Sequence, residues 1–354
     1  MRNWFRRWQT RVSGSELVVE ALPNVDFTVS FVERRDPETS SIERLIRTVG
    51  TALSKRRVNV RYDKLPYGNS TSGILANLFV ARPKNADIYH ITGHIHYYAL
   101  LLPREKTVLT IHDLRILKMR SGFRRYLIKK LFFDLPARNV KYIVTGSEYA
   151  KRDLIRATNC PENRIHVIEH PLTIDVSEHK RKFDEERPRI LQVGTASNKN
   201  LKGLISALRG IECTLVVIGR LDHLTLEALQ ENNIDFENRF DLTDTEIRSE
   251  YGNSDIVSFC STSEGFGLPI IEAQAMMVPV VTSAISPMRD VAGTGALLVD
   301  PYDPFSIRSG IQQLTGDEKL RQFLVEKGLE NVVRFSPDTI AGQYKELYQK
   351  ILKR

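Results

Sequence analysis

Short apolar runs alternate with amphipathic stretches along almost the whole chain. Val25–Val32 reads as a strand, and Ser41–Leu53 then places Ile42, Leu45, Ile46 and Val49 at helical spacing. Val58–Tyr62 continues as a strand and Ser72–Val80 as a helix, and Asp87–Thr92, Thr107–Ile111, Lys141–Thr145 and Arg164–Ile168 are further strand-like runs. Such alternation predicts an α/β fold with a parallel sheet covered by helices. Between Asp175 and Arg189 the composition turns almost wholly to charge, the mark of a linker. A second series follows, with strands at Arg189–Val193, Cys213–Ile218, Asp255–Cys260 and Val278–Ser283 and helices at Leu201–Arg209, Leu224–Glu231 and Leu268–Met277. Asp303–Arg334 is helical, Pro337 punctuates it, and a last helix covers Asp338–Leu352. The expected organisation is a first domain over 1–180, a second over 181–336, and a C-terminal helix over 337–354. In open α/β sheets, ligands sit beyond the carboxyl ends of the strands, so the chemistry is sought in the loops that follow them.

Composition adds limits. The 354 residues are enough for two domains, each with Val, Ile and Leu for a core. No run of about 18 uncharged apolar residues occurs, so no span is expected. The N-terminal Trp4-Phe5-Arg6-Arg7-Trp8 is basic and aromatic but lacks the apolar stretch of a secretory signal. Cys160, Cys213 and Cys260 are scattered and read as buried thiols of a reducing cytoplasm. The net charge of +8 suits an anionic small molecule, membrane or nucleic acid without choosing among them.

The most informative segment is Ile256–Glu272. An apolar strand ends near Cys260, a polar turn passes Gly265 and Gly267, and Pro269 opens a helix, where its missing N–H costs nothing. First-turn amides of such a helix bind phosphate or other anions, and glycines let a ligand approach the backbone. Glu272 stands one turn into this helix among Ile270, Ile271, Ala273 and Ala275, so its carboxylate needs partners, and a ribose diol offers two donors. Taken singly, Glu272 could complement the helix dipole and Glu264 could be an exposed loop carboxylate; the Gly-x-Gly-x-Pro frame favours a site.

Glu264-x7-Glu272, with Gly-Phe-Gly-Leu-Pro between, resembles the signature of family 4 retaining glycosyltransferases. Ala273–Ser283 and Val291–Pro301 are similar to that family too, although Met276-Met277 stands where a small Cys-Gly pair is usual. The resemblance implies a GT-B fold, two doubly wound Rossmann-like domains facing a central cleft, with the last helix crossing back to the first domain. It implies transfer of a sugar from a nucleotide-sugar donor to a glycan or lipid-linked hydroxyl acceptor with retained configuration, in cell-surface polysaccharide or glycolipid assembly. Glu272 would hold the ribose, and Glu264 with the amides of Gly265, Phe266, Gly267 and Leu268 the sugar. In the Gly194-Thr195-Ala-Ser-Asn198-Lys199 loop, Lys199 matches the family's diphosphate-binding cation. Thr195 and Asn198 stand where many members carry a second one, and Arg220 is the candidate to replace it. No Asp-x-Asp motif occurs, so neither a metal nor another cofactor is expected.

His90, His94, His96 and His112 cluster in sequence. His112 follows a strand, and the resemblance implies that it touches the donor sugar and orients the reacting centre. His94 and His96 are assigned to the acceptor side, as are the loops Asp36–Ser41 and Gly93–Tyr97, and His90 to a surface or capping role. His90-x3-His94-x-His96 has metal-ligand spacing, but only Asp113 stands near as a further ligand.

Leu114–Arg138 interleaves Arg115, Lys118, Arg120, Arg124, Arg125, Lys129 and Lys130 with Phe123, Tyr126, Leu127, Leu131, Phe132 and Phe133. Two readings stand: a helix whose apolar side packs on its own sheet, or a face that meets an anionic membrane, at about 1 kcal/mol per well-placed cation. A nucleoside-diphosphate pocket argues against nucleic acid. A cytoplasmic enzyme, peripheral to the inner face of the membrane, is the resulting expectation. The rival readings are a sugar-nucleotide epimerase of the same architecture and a catalytically silent nucleotide-sugar-binding protein.

Overall fold

The computed structural model describes residues 25–35, 40–80, 84–118, 120–174 and 182–353. Trp4–Trp8, most of Asp36–Ser41 and the first part of the charged linker lie outside the described residues. In chain order the elements used below are β1 (Phe27–Glu33), α1 (Ser40–Ser54), β2 (Val58–Lys64), α2 (Thr71–Val80), β3 (Ile88–Ile91), β4 (Thr107–Thr110), α3 (Gly122–Ile128), β5 (Tyr142–Thr145), α4 (Glu148–Thr158) and β6 (Ile165–Val167). They continue as β7 (Arg189–Val193), α5 (Leu201–Leu208), β8 (Thr214–Ile218), α6 (His223–Glu231), β9 (Asp235–Arg239), α7 (Asp244–Gly252), β10 (Ile256–Phe259), α8 (Leu268–Ala275), β11 (Val280–Ser283), β12 (Leu297–Val299), α9 (Pro304–Gly316), α10 (Glu318–Val332) and α11 (Pro337–Leu352).

The chain divides into two compact units. One holds the described residues before Ile174 together with the segment from Ser336 onward, and the other is Ile174–Phe335. Each is built on a six-stranded sheet whose pairings are all parallel, in the orders β2-β1-β3-β4-β5-β6 and β12-β11-β10-β7-β8-β9. Strand order therefore reverses between β1 and β3 in one sheet and between β7 and β10 in the other. The loops leaving these strands open the crevice where doubly wound sheets bind ligands.

Alternation within the strands sends side chains to both faces of the first sheet. Phe27, Val29, Phe31, Ile88, Val108, Tyr142 and Val144 pack with α1 and α11 through Ile46, Val49, Leu53, Ile340, Tyr344, Leu347 and Tyr348. Val32, Tyr89, Ile91, Leu109 and Ile143 face the opposite cluster with Phe133, Leu154 and Ile165. Each such side chain contributes about 1.5–3 kcal/mol on burial. Helix α11 is further fixed to its unit by Lys345 Nζ donating to Asp26 Oδ2 at 2.8 Å and by an Arg56–Asp338 ion pair at 3.0 Å.

Several elements differ from the sequence expectation. β9 (Asp-Phe-Glu-Asn-Arg) and β12 are edge strands, where no second neighbour demands a continuous apolar run. α7 has a weak apolar stripe, but its Thr243–Glu246 capping box is a start signal that was legible. α4 likewise carries Ser147 as its N-cap and Asn159 as a left-handed C-cap. Asp303–Arg334 is two α-helices, α9 and α10, divided where Asp317 caps the second, followed by a 3-10 turn at Val333–Phe335. The basic stretch is a single turn at Arg115–Lys118, then a helical run through Gly122–Asn139 with a π-helical segment at Lys129–Asp134.

Candidate functional site

In the second unit, the loops leaving β7 and β10 are joined side by side. Thr262 N donates to Asn198 O at 2.8 Å, and Asn198 Nδ2 donates to Ser263 O at 2.8 Å and to Glu264 Oε1 at 3.1 Å. Lys199 Nζ lies 2.8 Å from that same Glu264 oxygen and 4.6 Å from the centroid of Phe259. Asn200, in the left-handed region, ties the loop to Cys260 O and Pro301 O at 3.1 and 2.7 Å. Gly194 has φ +91°, and a Cβ there would meet the Lys199 side chain at 3.1 Å. The lysine is therefore laid across a bare backbone, with its charge beside Glu264. Lys199, Asn198 and Glu264 form one half-buried cluster.

Gly267 caps α8 at φ +137°, a conformation that only glycine adopts without strain. Leu268 is half-buried in the first turn, and Phe266 is buried edge-on against Phe335 with ring centroids 5.7 Å apart. The residues from Pro269 to Ala275 are all buried. Glu272 among them is 3% exposed, and its Oε2 accepts from the hydroxyl of Tyr251 at 2.7 Å. Sequence reasoning did not single out Tyr251; nothing in its local pattern distinguishes it from an ordinary core tyrosine.

Gly219, at the end of β8, approaches Thr195 closely, since a Cβ there would stand 3.0 Å from Thr195 Cγ2. Arg220, by contrast, is exposed, ion-paired with Asp241 and stacked 4.5 Å over Phe240. The structure thus gathers Gly194, Thr195, Asn198, Lys199 and Glu264, while Arg220 is engaged on Asp241.

The histidines of the first unit separate into different roles. His90 is not a surface or capping residue: it is fully buried, with Nδ1 2.6 Å from the Tyr348 hydroxyl and Nε2 2.6 Å from Thr110 Oγ1. Burial lowers its pKa to about 3, so it is a neutral core group that pins α11. His96 also departs from the acceptor-side expectation. It is 1% exposed, its Nδ1 bonds to Phe132 O at 2.8 Å, its ring meets Phe133 edge-on, and burial lowers its pKa to about 3. The Ile95–Ala99 turn is drawn into the core by Tyr97 and Tyr98, and His96 goes with it. His94 stays half-buried, its pKa lowered by burial.

His112, just past β4, is half-buried, with Nδ1 3.4 Å from Nε2 of His170, which follows β6. Burial first, and then neighbouring histidines, hold its pKa well below the usual 6.5; burial brings His170 to about 4. The His170 ring crosses the end of β5 over Gly146, where a Cβ would stand 2.8 Å from its Cε1 and Nε2. His170 was not anticipated, although its place after a strand was a usable signal. Among the described residues no three His, Cys, Asp or Glu side chains group as a cation site.

Comparison with known proteins matches both units. The pattern described as Glycosyltransferase Family 4 fits residues 16–176, and that described as Glycosyl transferases group 1 fits residues 174–331. The chain belongs to the family 4 glycosyltransferases. Among this glycosyltransferase's relatives, the O-antigen chain mannosyltransferase RfbU of Salmonella typhimurium is 26% identical over 62% of the chain and 63% of its own length, so the match spans a little under two thirds of RfbU. The capsular polysaccharide biosynthesis glycosyltransferase CapM of Staphylococcus aureus is 27% identical over 72% of the chain and 73% of its own length. Anabaena HepE, solved in complex with UDP and glucose, shares the fold at a TM-score of 0.72 and 15% identity, covering 92% of this chain and 100% of that one.

Proposed function

We propose that this glycosyltransferase moves a sugar from a nucleotide-sugar donor to a hydroxyl acceptor with retention, in the assembly of a surface polysaccharide. The observation that carries the reading is the Asn198–Lys199–Glu264 cluster, held where strand order reverses between β7 and β10. Lys199 and the amides opening α8 supply positive charge for a diphosphate, and Glu264 and Glu272 supply acceptors for sugar and ribose hydroxyls. The acceptor oxygen forms the new bond to the anomeric carbon as the bond from that carbon to the donor's phosphate oxygen breaks, and the leaving phosphate takes the acceptor's proton. His112, neutral at working pH, acts in this reading as a hydrogen-bonding and orienting group. No metal enters it, because Lys199 and the helix end face the charge that develops. The O-antigen and capsule roles of RfbU and CapM, and the UDP and glucose of HepE, support the class of donor and acceptor.

The test is transfer from a panel of nucleotide sugars, with Glu272→Ala and Lys199→Ala in folded protein. Both are expected to abolish transfer and to weaken nucleotide-sugar binding. Unchanged binding in both overturns the site assignment.

We also propose that the helical run from α3 to Asn139 docks on an anionic membrane at its inner face. Phe123, Tyr126, Leu127, Leu131 and Leu135 are exposed, as are Arg120, Arg124 and Arg125. Phe133, by contrast, is buried in the core, so this outward apolar side is not the one that packs on the sheet. Lys129 and Lys130 pair with the buried Asp134 at 2.8 and 3.2 Å, which leaves the arginines as the docking cations. Among the described residues no helix is long and apolar enough to cross a membrane. Flotation on phosphatidylglycerol vesicles should fall with salt and with Arg124→Glu/Arg125→Glu; salt-independent or absent binding removes the proposal.

A further inference from the structure

Glu272 is the one acid on a helix whose other residues, Gln274 apart, are apolar, and a buried carboxylate persists there only with hydrogen-bonding partners. One partner comes from a different element. Tyr251, in the last turn of α7, is fully buried and donates its hydroxyl to Glu272 Oε2 at 2.7 Å. α7 and α8 flank β10 in sequence, so the bond joins the helix that enters this strand to the helix that leaves it.

We propose that Tyr251 is a positioning residue for the nucleoside: its hydroxyl fixes the carboxylate of Glu272 so that the 2′- and 3′-hydroxyls of the ribose are recognised. The inference rests on the assignment of Glu272 to the ribose. Each carboxylate oxygen carries two acceptor sites, so the phenol's bond to Oε2 does not by itself exhaust what the carboxylate can accept. A glutamate with three rotatable bonds pays ordering entropy when it is caught by a ligand, and a charge-assisted bond made beforehand lowers that cost. The Tyr251 ring fills core volume that phenylalanine would also fill. Tyr251→Phe therefore isolates the hydroxyl.

Calorimetry with UDP and GDP, each beside its 2′,3′-dideoxy counterpart, reads the effect directly in wild type, Tyr251→Phe, Glu272→Gln and the double variant. Tyr251→Phe is expected to weaken the ribose nucleotide by about tenfold and to leave the dideoxy nucleotide unchanged. In the Glu272→Gln background the same change should add nothing to ribose discrimination. A merely structural tyrosine would weaken both nucleotides alike, or neither, and either result overturns the proposal. If Glu272→Gln itself keeps full discrimination, the ribose assignment fails first and this inference with it. Failure of wild type to bind any nucleoside diphosphate, with ADP, CDP and dTDP added to the series, overturns the nucleotide-sugar reading beneath both.

Discussion

Lys199 Nζ and Asn198 Nδ2 converge on one oxygen of Glu264, at 2.8 and 3.1 Å. The cation from the β7 loop and the acid from the β10 loop are thus already assembled in the free protein. Replacing Lys199 by methionine keeps the stem along the bare backbone of Gly194 but removes the charge over Phe259. Glu264 retains its bond from Asn198, so folding should survive while nucleoside-diphosphate affinity falls about tenfold or more. Titration calorimetry beside a thermal melt checks both halves; unchanged affinity removes Lys199 from the site.

Gly267→Ala should be costly twice over. Its φ of +137° is strained for any other residue, and the new methyl would stand 3.0 Å from Ile270 Cδ1. A loss of about 1–3 kcal/mol is expected, with weakened nucleotide binding because the opening of α8 shifts. Gly210→Ala is the control: φ is +71° and nothing lies within 4 Å, so about 1 kcal/mol is expected with no effect on binding. Urea denaturation of the two variants decides the comparison.

The contact between His112 and His170 depends on the bare Cα of Gly146. Alanine there must push the His170 ring away, since the new Cβ would be 2.8 Å from it. Transfer should slow while nucleotide affinity, governed by the other unit, stays at the wild-type value. A full transfer rate in folded Gly146→Ala protein would show that the pair does not orient the reacting centre.

Stability should depend on pH through the buried histidines. The pKa is held by burial at about 3 in His90, about 3 in His96 and about 4 in His170, against the usual 6.5. The unfolded chain therefore takes up protons that the folded chain refuses. Stability is full above about pH 6.5 and falls as the pH drops toward 4, by about 1.4 kcal/mol per pH unit for each histidine. Urea midpoints at pH 7.5, 6 and 5 should decline in that order, and His170→Gln should flatten the slope. Midpoints that do not change across this range contradict the burial of these rings.

The pattern of apolar runs determined most of the architecture by itself. Strands buried on both faces, such as β8, must be apolar throughout, so the parallel sheets were legible; edge strand β9 has no such need and was not. The Glu264–Glu272 motif was legible too, because a turn that exposes helix amides requires glycines and proline at fixed places. Only the tertiary structure decided which groups meet. His90 and His96 share a short stretch with His94, yet packing against Tyr348 and Phe133 takes both into the core. His170 reaches His112 across β5, 58 positions along the chain, and Tyr251 reaches Glu272 across β10, 21 positions along it. Such partners leave no trace in local spacing, because hydrogen bonds between elements depend on where the strands are ordered in the sheet and not on distance along the chain.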